Sequence, residues 1–248
     1  MMTKETIIKK NKYAENTVLI ESTLNMFNVF NISIEDKHNI INLGYQLTKQ
    51  FLLLKGQPIL MHTLSVFYSF DNEMQIIITL PIDWMDYWKS LLAEYKFELP
   101  HELVAGGDTR FASIQNALLH VKGEEVGVHD GVRPFVSHDT ISRCFNALAN
   151  SDAVVPCLPV KDSIRKMILN GSAALDRSDL RVVHTPQCFN SAALKSAYET
   201  SFSNLFTDDA SVFEANRGSV LIVDSNEENI KITSGIDLDI AALLIEKK

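Results

Sequence analysis

The chain has 248 residues, 46% of them hydrophobic, which is enough to build a sizeable core in one large α/β domain or two small ones. A formal charge of −8 argues against a nucleic-acid or polyanion surface, so ligand-binding cations are expected to be few and local. Three widely spaced cysteines, Cys144, Cys157 and Cys188, are typical of buried reduced thiols in a cytoplasmic protein. No apolar run is long enough to cross a bilayer, and no secretory signal is expected.

Residues 1–47 differ from the rest of the chain. They are rich in Asn, Ile and Lys, with Gly44 as their only glycine and no arginine. Apolar runs at 18–20 and 27–34 predict short strands, and 35–46 predicts a helix. We therefore treat 1–47 as an atypical N-terminal segment that precedes the main domain, residues 48–248.

Strands and helices alternate through the main domain. Helices are predicted at 59–70, 82–96, 109–121, 137–149, 191–200, 208–216 and 236–246. Strands are predicted at 75–79, 103–105, 126–129, 153–156 and 219–223. Polar residues 161–184, called the arm below, are predicted to form an irregular excursion. This alternation predicts a Rossmann-like α/β fold, in which helices cover both faces of a mostly parallel sheet.

Five polar motifs follow one another in order. They are Thr-Lys-Gln-Phe at 48–51, Gly-Gly-Asp-Thr-Arg at 106–110, His-Asp-Gly-Val-Arg-Pro at 129–134, Thr-Pro-Gln at 185–187 and Asn-Ile-Lys-Ile-Thr at 229–233. Parallel sheets bind ligands at the carboxyl ends of their strands. The motifs at 106–110 and 129–134, each next to a strand end, are therefore predicted to share one rim.

Two of these motifs also have an ordinary structural interpretation. The motif at 106–110 would be a tight turn capped by Asp108, and the motif at 129–134 would carry an exposed pair of Asp130 and Arg133. His129 is predicted to be structural, because no further metal ligands lie at suitable spacing. The run at 207–209 is most simply a helix N-cap. Isolated basic residues are ordinarily solvated, and three such residues stand here: Lys49, Arg177 and Lys231.

Taken together, the ordered motifs resemble the 2-C-methyl-D-erythritol 4-phosphate cytidylyltransferases of the non-mevalonate isoprenoid pathway. The resemblance runs from about residue 48 to the C-terminus and continues through 159–163, 176–177 and 207–210. It implies transfer of CMP from CTP to methylerythritol phosphate with release of pyrophosphate, and Mg²⁺ as the divalent cation.

The same resemblance implies roles on the nucleotide side. Gly107, Asp108 and Ser113 would read the cytosine. Lys49 and Lys231 would stabilise charge while the substrate phosphate attacks the α-phosphorus of CTP. Such reactions depend on positioning and cationic clamps more than on covalent catalysis.

On the acceptor side, the resemblance assigns Asp130 and Arg133 to the methylerythritol phosphate, with Asp130 also organising the metal. Thr207 would bind the sugar phosphate. Ser163 and Arg177, both on the arm, would reach the substrate of a neighbouring subunit, which implies a homodimer formed through residues 161–184.

The N-terminal segment departs from the family pattern. The family opens with a glycine-rich loop and an arginine that hold the triphosphate, and residues 1–47 contain neither. We therefore expect weak CTP binding. One explanation is a sequence artefact on an ordinary enzyme, and the other is a degenerate member that acts as a binding or scaffold protein. Ribitol 5-phosphate is the alternative acceptor.

Overall fold

The computed structural model describes Tyr13, residues 15–22 and residues 48–246 of the chain. Within the first of these stretches, strand β1 spans Asn16–Glu21, and all six of its residues are buried. The strand predicted at 18–20 is therefore confirmed. The strand predicted at 27–34 and the helix predicted at 35–46 lie outside the described residues, as does Gly44.

Eleven further strands follow β1 among the described residues. They are β2 (Leu53–Leu54), β3 (Gln57–Pro58), β4 (Gln75–Leu80), β5 (Glu102–Ala105), β6 (Glu125–Asp130), β7 (Ala153–Pro159), β8 (Ile164–Ile168), β9 (Gly171–Leu175), β10 (Arg181–Val183), β11 (Gln187–Asn190) and β12 (Leu221–Asp224). Eight strands, β1 included, form one sheet in the order β10-β7-β11-β6-β1-β4-β5, with β12 also paired to β7. Only β10 and β11 run against the others, which confirms a mostly parallel sheet.

Helices cover both faces of this sheet, as predicted. They are α1 (Ile59–Phe70), α2 (Ile82–Glu94), α3 (Arg110–Leu118), α4 (His138–Ala147), α5 (Ser191–Ala197), α6 (Asp209–Arg217) and α7 (Gly235–Ile245). Successive side chains of a strand point to opposite faces. Val18 and Ile20 of β1 accordingly pack in the core beneath α1, α2 and α4, while Leu19 packs in the core beneath α3, α5 and α6. The central strand is thus buried on both sides.

The arm is more regular than the sequence predicted. Strands β8 and β9 form an antiparallel hairpin within it, and β10 joins the edge of the main sheet. The prediction of an irregular excursion was therefore wrong. Nearly all arm residues are exposed, so neither face of the hairpin carries the apolar alternation that marks a half-buried strand.

Smaller expectations are also settled by the structure. Residues 229–233, which carry Lys231, do not form a strand. Cys144, Cys157 and Cys188 are buried free thiols, as predicted. Across residues 13, 15–22 and 48–246, no helix has the length and apolar character that a membrane span requires.

Candidate active site

The carboxyl ends of β6, β1, β4 and β5 lie side by side and form one edge of the sheet, called the rim below. Backbone hydrogen bonds continue across it after the strands end. Gly106 N donates to the Leu80 carbonyl oxygen at 2.7 Å, and Gly131 N donates to the Glu21 carbonyl oxygen at 2.9 Å. The predicted placement of the 106–110 and 129–134 motifs on a single rim is therefore confirmed.

Asp130, the last residue of β6, is the centre of a buried ionic group. Its Oδ2 accepts a hydrogen bond from Arg133 Nε at 2.8 Å, and its Oδ1 lies 3.2 Å from Lys231 Nζ. Arg133 Nη1 donates in turn to the Asn229 carbonyl oxygen at 2.7 Å. These four residues are called the Asp130 cluster below. Asp130 and Arg133 are thus a buried pair, so the alternative interpretation as an exposed pair on a turn is wrong.

The electrostatics of the cluster keep Asp130 ionised. Burial by itself would raise the pKa of this carboxyl group, but the positive charges of Lys231 and Arg133 outweigh burial and hold the pKa well below its ordinary value. A carboxylate with a lowered pKa binds its cationic neighbours firmly at neutral pH. Asp130 therefore holds two cationic side chains at the end of β6.

Hydrogen bonds between uncharged groups form a layer that supports this cluster. The buried His129 ring lies between the Thr185 hydroxyl, 3.0 Å from Nδ1, and the Arg133 carbonyl oxygen, 3.0 Å from Nε2. Thr185 Oγ1 also accepts from Asp130 N at 3.1 Å, and Asn229 Nδ2 donates to the Thr185 carbonyl oxygen at 2.8 Å. Burial lowers the pKa of His129 to about 4. The predicted structural role of His129 is confirmed.

Lys49 brings a third cation to this side of the rim. It begins a short 3-10 turn, Lys49–Phe51, whose Gln50 Nε2 donates to the Ser22 carbonyl oxygen at 3.4 Å. Burial and then the neighbouring charge of Lys231 lower the pKa of Lys49. The two lysines are therefore close enough to repel each other, as expected of cations that share one anionic ligand.

The loop after β5 is shaped by close backbone approach. A Cβ atom on Gly107 would lie 2.5 Å from the Ala112 Cβ, so only glycine fits at this position. Ser113 Oγ accepts from Gly107 N at 3.1 Å and so fixes the loop to α3. Thr109, rather than Asp108, caps α3, because its Oγ1 accepts from Ala112 N. The Asp108 side chain is exposed and takes no part in this cap.

A second ionic group crosses the rim, and the sequence did not predict it. Arg110 donates from Nη1 to Asp209 Oδ1 at 3.0 Å and from Nη2 to Asp209 Oδ2 at 2.5 Å. Its Nε lies 3.5 Å from Glu21 Oε2. We call this group the Glu21–Arg110–Asp209 bridge. Tyr198 OH donates to Asp209 Oδ1 at 2.7 Å and completes it.

The sequence contains weak indications of the bridge. Arg110 and Asp209 lie inside the motifs that carry the family resemblance, and Glu21 directly ends the apolar run of β1. Burial would lower the pKa of Arg110, but the carboxylates of Asp209 and Glu21 raise it well above its ordinary value. The guanidinium is thus fully charged and held by two acids.

Thr207 lies beside this bridge. Its side chain is exposed, and it lines a cleft of about 210 Å³ together with Arg110, Phe111 and Tyr198. The next residue, Asp208, caps α6 as predicted, and its Oδ2 accepts from Gln187 Nε2 at 2.7 Å. Thr207 is therefore held at the rim by the first turn of α6.

The two predicted arm residues stand apart from the rim. Ser163 and Arg177 are both exposed, and Arg177 Nη1 donates to the Lys161 carbonyl oxygen. In the described part of the chain, no hydrogen bond or ion pair joins either residue to the Asp130 cluster. Their expected contact with a neighbouring subunit stays a prediction, as does the domain division at residue 47.

The described residues contain no group of three or more His, Cys, Asp or Glu side chains arranged to hold a metal ion. Asp130 is the acid that the resemblance assigned to the metal. Each of its oxygens accepts one cationic neighbour, which leaves other lone pairs on the carboxylate. A metal ion at Asp130 would therefore need most of its ligands from a bound substrate.

Comparisons with known proteins agree with this geometry. A family model described as 2-C-methyl-D-erythritol 4-phosphate cytidylyltransferase matches residues 42–247. A protein of that name from Phocaeicola vulgatus is 46% identical over 206 residues, which cover 83% of this chain and 94% of the relative. Another from Porphyromonas gingivalis is 45% identical over 207 residues, covering 83% of this chain and 92% of the relative.

Solved structures give the same result. The crystal structure of 2-C-methyl-D-erythritol 4-phosphate cytidylyltransferase from Thermus thermophilus superposes with a TM-score of 0.71 at 27% identity. The superposition covers 93% of this chain and 98% of that one. The family model alone spans far more than half of the sequence, and the curated relatives are matched over most of their length. The chain therefore belongs to the 2-C-methyl-D-erythritol 4-phosphate cytidylyltransferase family.

Proposed function

We propose that this chain transfers CMP from CTP to 2-C-methyl-D-erythritol 4-phosphate and releases pyrophosphate. The names of its relatives support this reaction. The structural observation that carries the proposal is the convergence of Arg133 and Lys231 on the buried carboxylate of Asp130 at a strand end. A reaction between two phosphorylated substrates needs such fixed cations where negative charge meets.

Arg133 is the best-placed group for the acceptor phosphate. Its Nε and Nη1 are held by Asp130 and Asn229, and among the described residues nothing accepts from Nη2. A guanidinium that is oriented in this way can donate to a phosphate without further ordering. Asp130 then serves to position Arg133 and Lys231, and Thr207 adds a hydroxyl from the opposite side of the rim.

Lys49 and Lys231 are proposed to face the triphosphate. The in-line attack of the acceptor phosphate on the α-phosphorus increases charge on the equatorial oxygens, and two neighbouring ammonium groups stabilise that charge. The lowered pKa of Lys49 still leaves it a cation when an anionic ligand lies beside it. No proton has to leave either lysine during the step.

The loop at 106–113 is proposed to read the cytosine. Gly107 carries no side chain because Ala112 lies directly behind it, so the loop backbone packs closely against α3. Ser113 keeps the loop in place through Gly107 N, and Asp108 offers an exposed carboxylate next to it. Carboxylate oxygens accept well from the exocyclic amine of cytosine.

Mg²⁺ is proposed to enter with the nucleotide. This ion is usually held by one or two carboxylates and by substrate phosphates, which fits the lone carboxylate of Asp130. The ion would neutralise phosphate charge and orient the phosphates. Asp130 and the neighbouring cations would keep their positions throughout.

We propose a homodimer formed through the arm, because the hairpin exposes apolar side chains. Leu169 is 98% exposed, Met167 78% and Ile168 52%, and such a patch on an arm that projects from the domain is typical of an interaction surface. In a dimer, Ser163 and Arg177 would be free to reach the partner's rim. The buried free thiols support the proposed cytoplasmic location.

A product analysis tests the proposed reaction. The purified chain with Mg²⁺ is offered CTP or UTP together with methylerythritol phosphate or ribitol 5-phosphate, and pyrophosphate and nucleotide products are measured. We expect product only from CTP and methylerythritol phosphate, at a low rate because residues 1–47 lack the glycine cluster. Product from ribitol 5-phosphate would reassign the acceptor, and no product from any pair would favour a binding or scaffold role.

A further inference from the structure

We propose that Gln187 is a positioning residue for the acceptor phosphate and that it acts through Thr207. Its buried amide group joins the N-terminus of α6, which directly follows Thr207, to the strand beside the Asp130 cluster. The identity of the acceptor as a sugar phosphate rests on the proposed function. The role of Gln187 itself rests on the groups that its two amide atoms bind.

The Thr-Pro-Gln motif contacts both sides of the rim. At its first residue, Thr185 Oγ1 accepts from Asp130 N at 3.1 Å. At its last residue, Gln187 begins β11 and is only 1% exposed. Gln187 Nε2 donates to Asp208 Oδ2 at 2.7 Å, and Gln187 Oε1 accepts from Ala210 N at 2.8 Å. One short segment therefore links the Asp130 cluster to the N-terminus of α6.

The amide group of Gln187 matches the turn that it binds. Asp208 caps α6 through its Oδ1, which accepts from Ser211 N at 2.9 Å, so its Oδ2 is left for Gln187. Ala210 N lies in the first helical turn, where a backbone N–H has no acceptor within the helix. Gln187 supplies one donor and one acceptor to this turn. An ionised carboxylate, which only accepts, could not replace it.

Thr207 depends on the same turn for its position. Its backbone N donates to Ser211 Oγ at 3.0 Å, as Asp208 N does at 3.2 Å. The side chain of Thr207 is exposed and lines the cleft beside the rim. Because its hydroxyl group faces solvent, the backbone of the turn sets where that hydroxyl lies. Gln187 fixes this backbone from the side of β11.

A second anchor should allow variants of Gln187 to fold. Arg110 binds both carboxylate oxygens of Asp209, and Val212 and Phe213 of α6 are buried in the core. The helix as a whole is thus held without Gln187. Loss of the Gln187 amide should therefore change the setting of the first turn and leave the rest of α6 in place.

The consequence is specific to the acceptor. Arg133 and Thr207 are proposed to bind one phosphate from opposite sides of the rim, so their separation determines how well both can donate at once. Gln187 controls that separation. Lys49 and the 106–113 loop, which are proposed to bind the nucleotide, are not among the groups that the Gln187 amide binds. Acceptor affinity should fall without Gln187, and CTP affinity should not.

Calorimetric titrations with methylerythritol phosphate, and separately with CTP and Mg²⁺, test this role. Gln187→Glu keeps the shape of the side chain but removes the donor and places a carboxylate against Asp208. We expect methylerythritol phosphate to bind about tenfold more weakly and CTP to bind within about twofold of the wild type.

Gln75→Glu is the matched control. Gln75 also uses both ends of its amide group, donating to the His120 carbonyl oxygen at 3.0 Å and accepting from Lys122 N at 3.1 Å. It begins β4, so it lies at the end of the sheet opposite the rim. This control should leave both affinities unchanged.

A double-mutant cycle separates positioning from a general loss of stability. Thr207→Ala should weaken methylerythritol phosphate binding by about tenfold, and Gln187→Glu combined with it should weaken binding by no more than about a further twofold. A general structural role would instead add its full effect to that of Thr207→Ala. Gln187→Met removes both polar atoms without adding a charge and should behave as Gln187→Glu does. Thermal melting establishes which variants fold.

The proposal is overturned if the folded Gln187 variants bind methylerythritol phosphate as the wild type does, if they weaken CTP binding equally, or if their full effect persists in Thr207→Ala. An unchanged affinity in Thr207→Ala alone would also overturn it. The proposed function fails differently, through acceptor binding that depends on Gln187 without release of pyrophosphate from CTP. Conversely, pyrophosphate release together with unchanged acceptor affinity in the Gln187 variants would retain the reaction and overturn the role of Gln187.

Discussion

Asp130 and Glu21 end neighbouring strands at the same level of the sheet, and both carboxylates are buried, yet their surroundings differ. Asp130 is paired with two cationic side chains, Arg133 and Lys231. Glu21 shares Arg110 with Asp209, which binds both terminal nitrogens of that guanidinium. One carboxylate thus binds two cations, whereas at the neighbouring strand end two carboxylates share one guanidinium.

A buried carboxylate therefore has no fixed role at a strand end. Asp130 orders two cations, and among the described residues nothing accepts from Arg133 Nη2, which can donate to a ligand. In the bridge, two carboxylates bind one guanidinium and so join α3 to β1 and α6, which serves the fold. The predictions that follow test this contrast between the Asp130 cluster and the bridge.

The largest expected effect is on stability. Asp209→Ala should lower the free energy of unfolding by about 3–5 kcal/mol, because it leaves the partly buried Arg110 charge without its bidentate partner and the buried Tyr198 hydroxyl without its acceptor. Urea unfolding measures this loss. Asp239→Ala, an exposed acid on α7, is the control. A loss of less than about 1 kcal/mol in Asp209→Ala would show that the bridge has no structural role.

A second effect concerns pH. The pKa of His129 is lowered from 6.5 to about 4. Between pH 6.5 and pH 4, the unfolded chain therefore binds a proton at His129 that the folded chain does not bind. Stability should therefore fall as pH drops through this window, by about 3 kcal/mol in all for His129. Urea unfolding at several pH values from 7 to 4 tests this. His129→Gln should reduce the dependence of stability on pH. Part of that dependence should remain, because burial also lowers the pKa of His184 to about 4.

An identical pH dependence in His129→Gln and the wild type would contradict the account of the supporting layer. That result would mean that the His129 ring is protonated in the folded state. The Thr185 and Arg133 oxygens would then both accept from it, and its structural role would include a charge beside Arg133.

The third effect is on turnover. Arg133→Ala and Lys231→Ala should each reduce the rate of pyrophosphate release by about tenfold or more, since a charge-assisted phosphate contact contributes about 1.5–3 kcal/mol. Lys122→Ala, an exposed lysine just before the opposite end of β6, should retain the wild-type rate. Wild-type rates in both cluster variants would remove the Asp130 cluster from the reaction.

A substitution in the arm is expected to affect the rim least. Leu169→Glu should convert a dimer to a monomer in sedimentation at micromolar concentration, because it places a charge in the proposed interface. Leu119→Glu is a matched control, since Leu119 is 83% exposed and lies outside the arm. Sedimentation of the wild type as a monomer would contradict the proposed homodimer.

Much of this structure follows from sequence patterns that report local chemistry. The apolar run at 18–20 predicted a short strand, and the position of two motifs at strand ends predicted a shared rim. Long-range partners leave no such pattern. Arg110 and Asp209 are 99 residues apart, and nothing local says that they meet. The arm hairpin was missed for a related reason, because a strand exposed on both faces has no apolar alternation.

The most direct test of the Asp130 cluster is kcat/KM for CTP, measured by pyrophosphate release with Mg²⁺ and methylerythritol phosphate. We expect a fall of about tenfold or more in Arg133→Ala and the wild-type value in Lys122→Ala. A wild-type value in Arg133→Ala would contradict the role of the Asp130 cluster in the reaction.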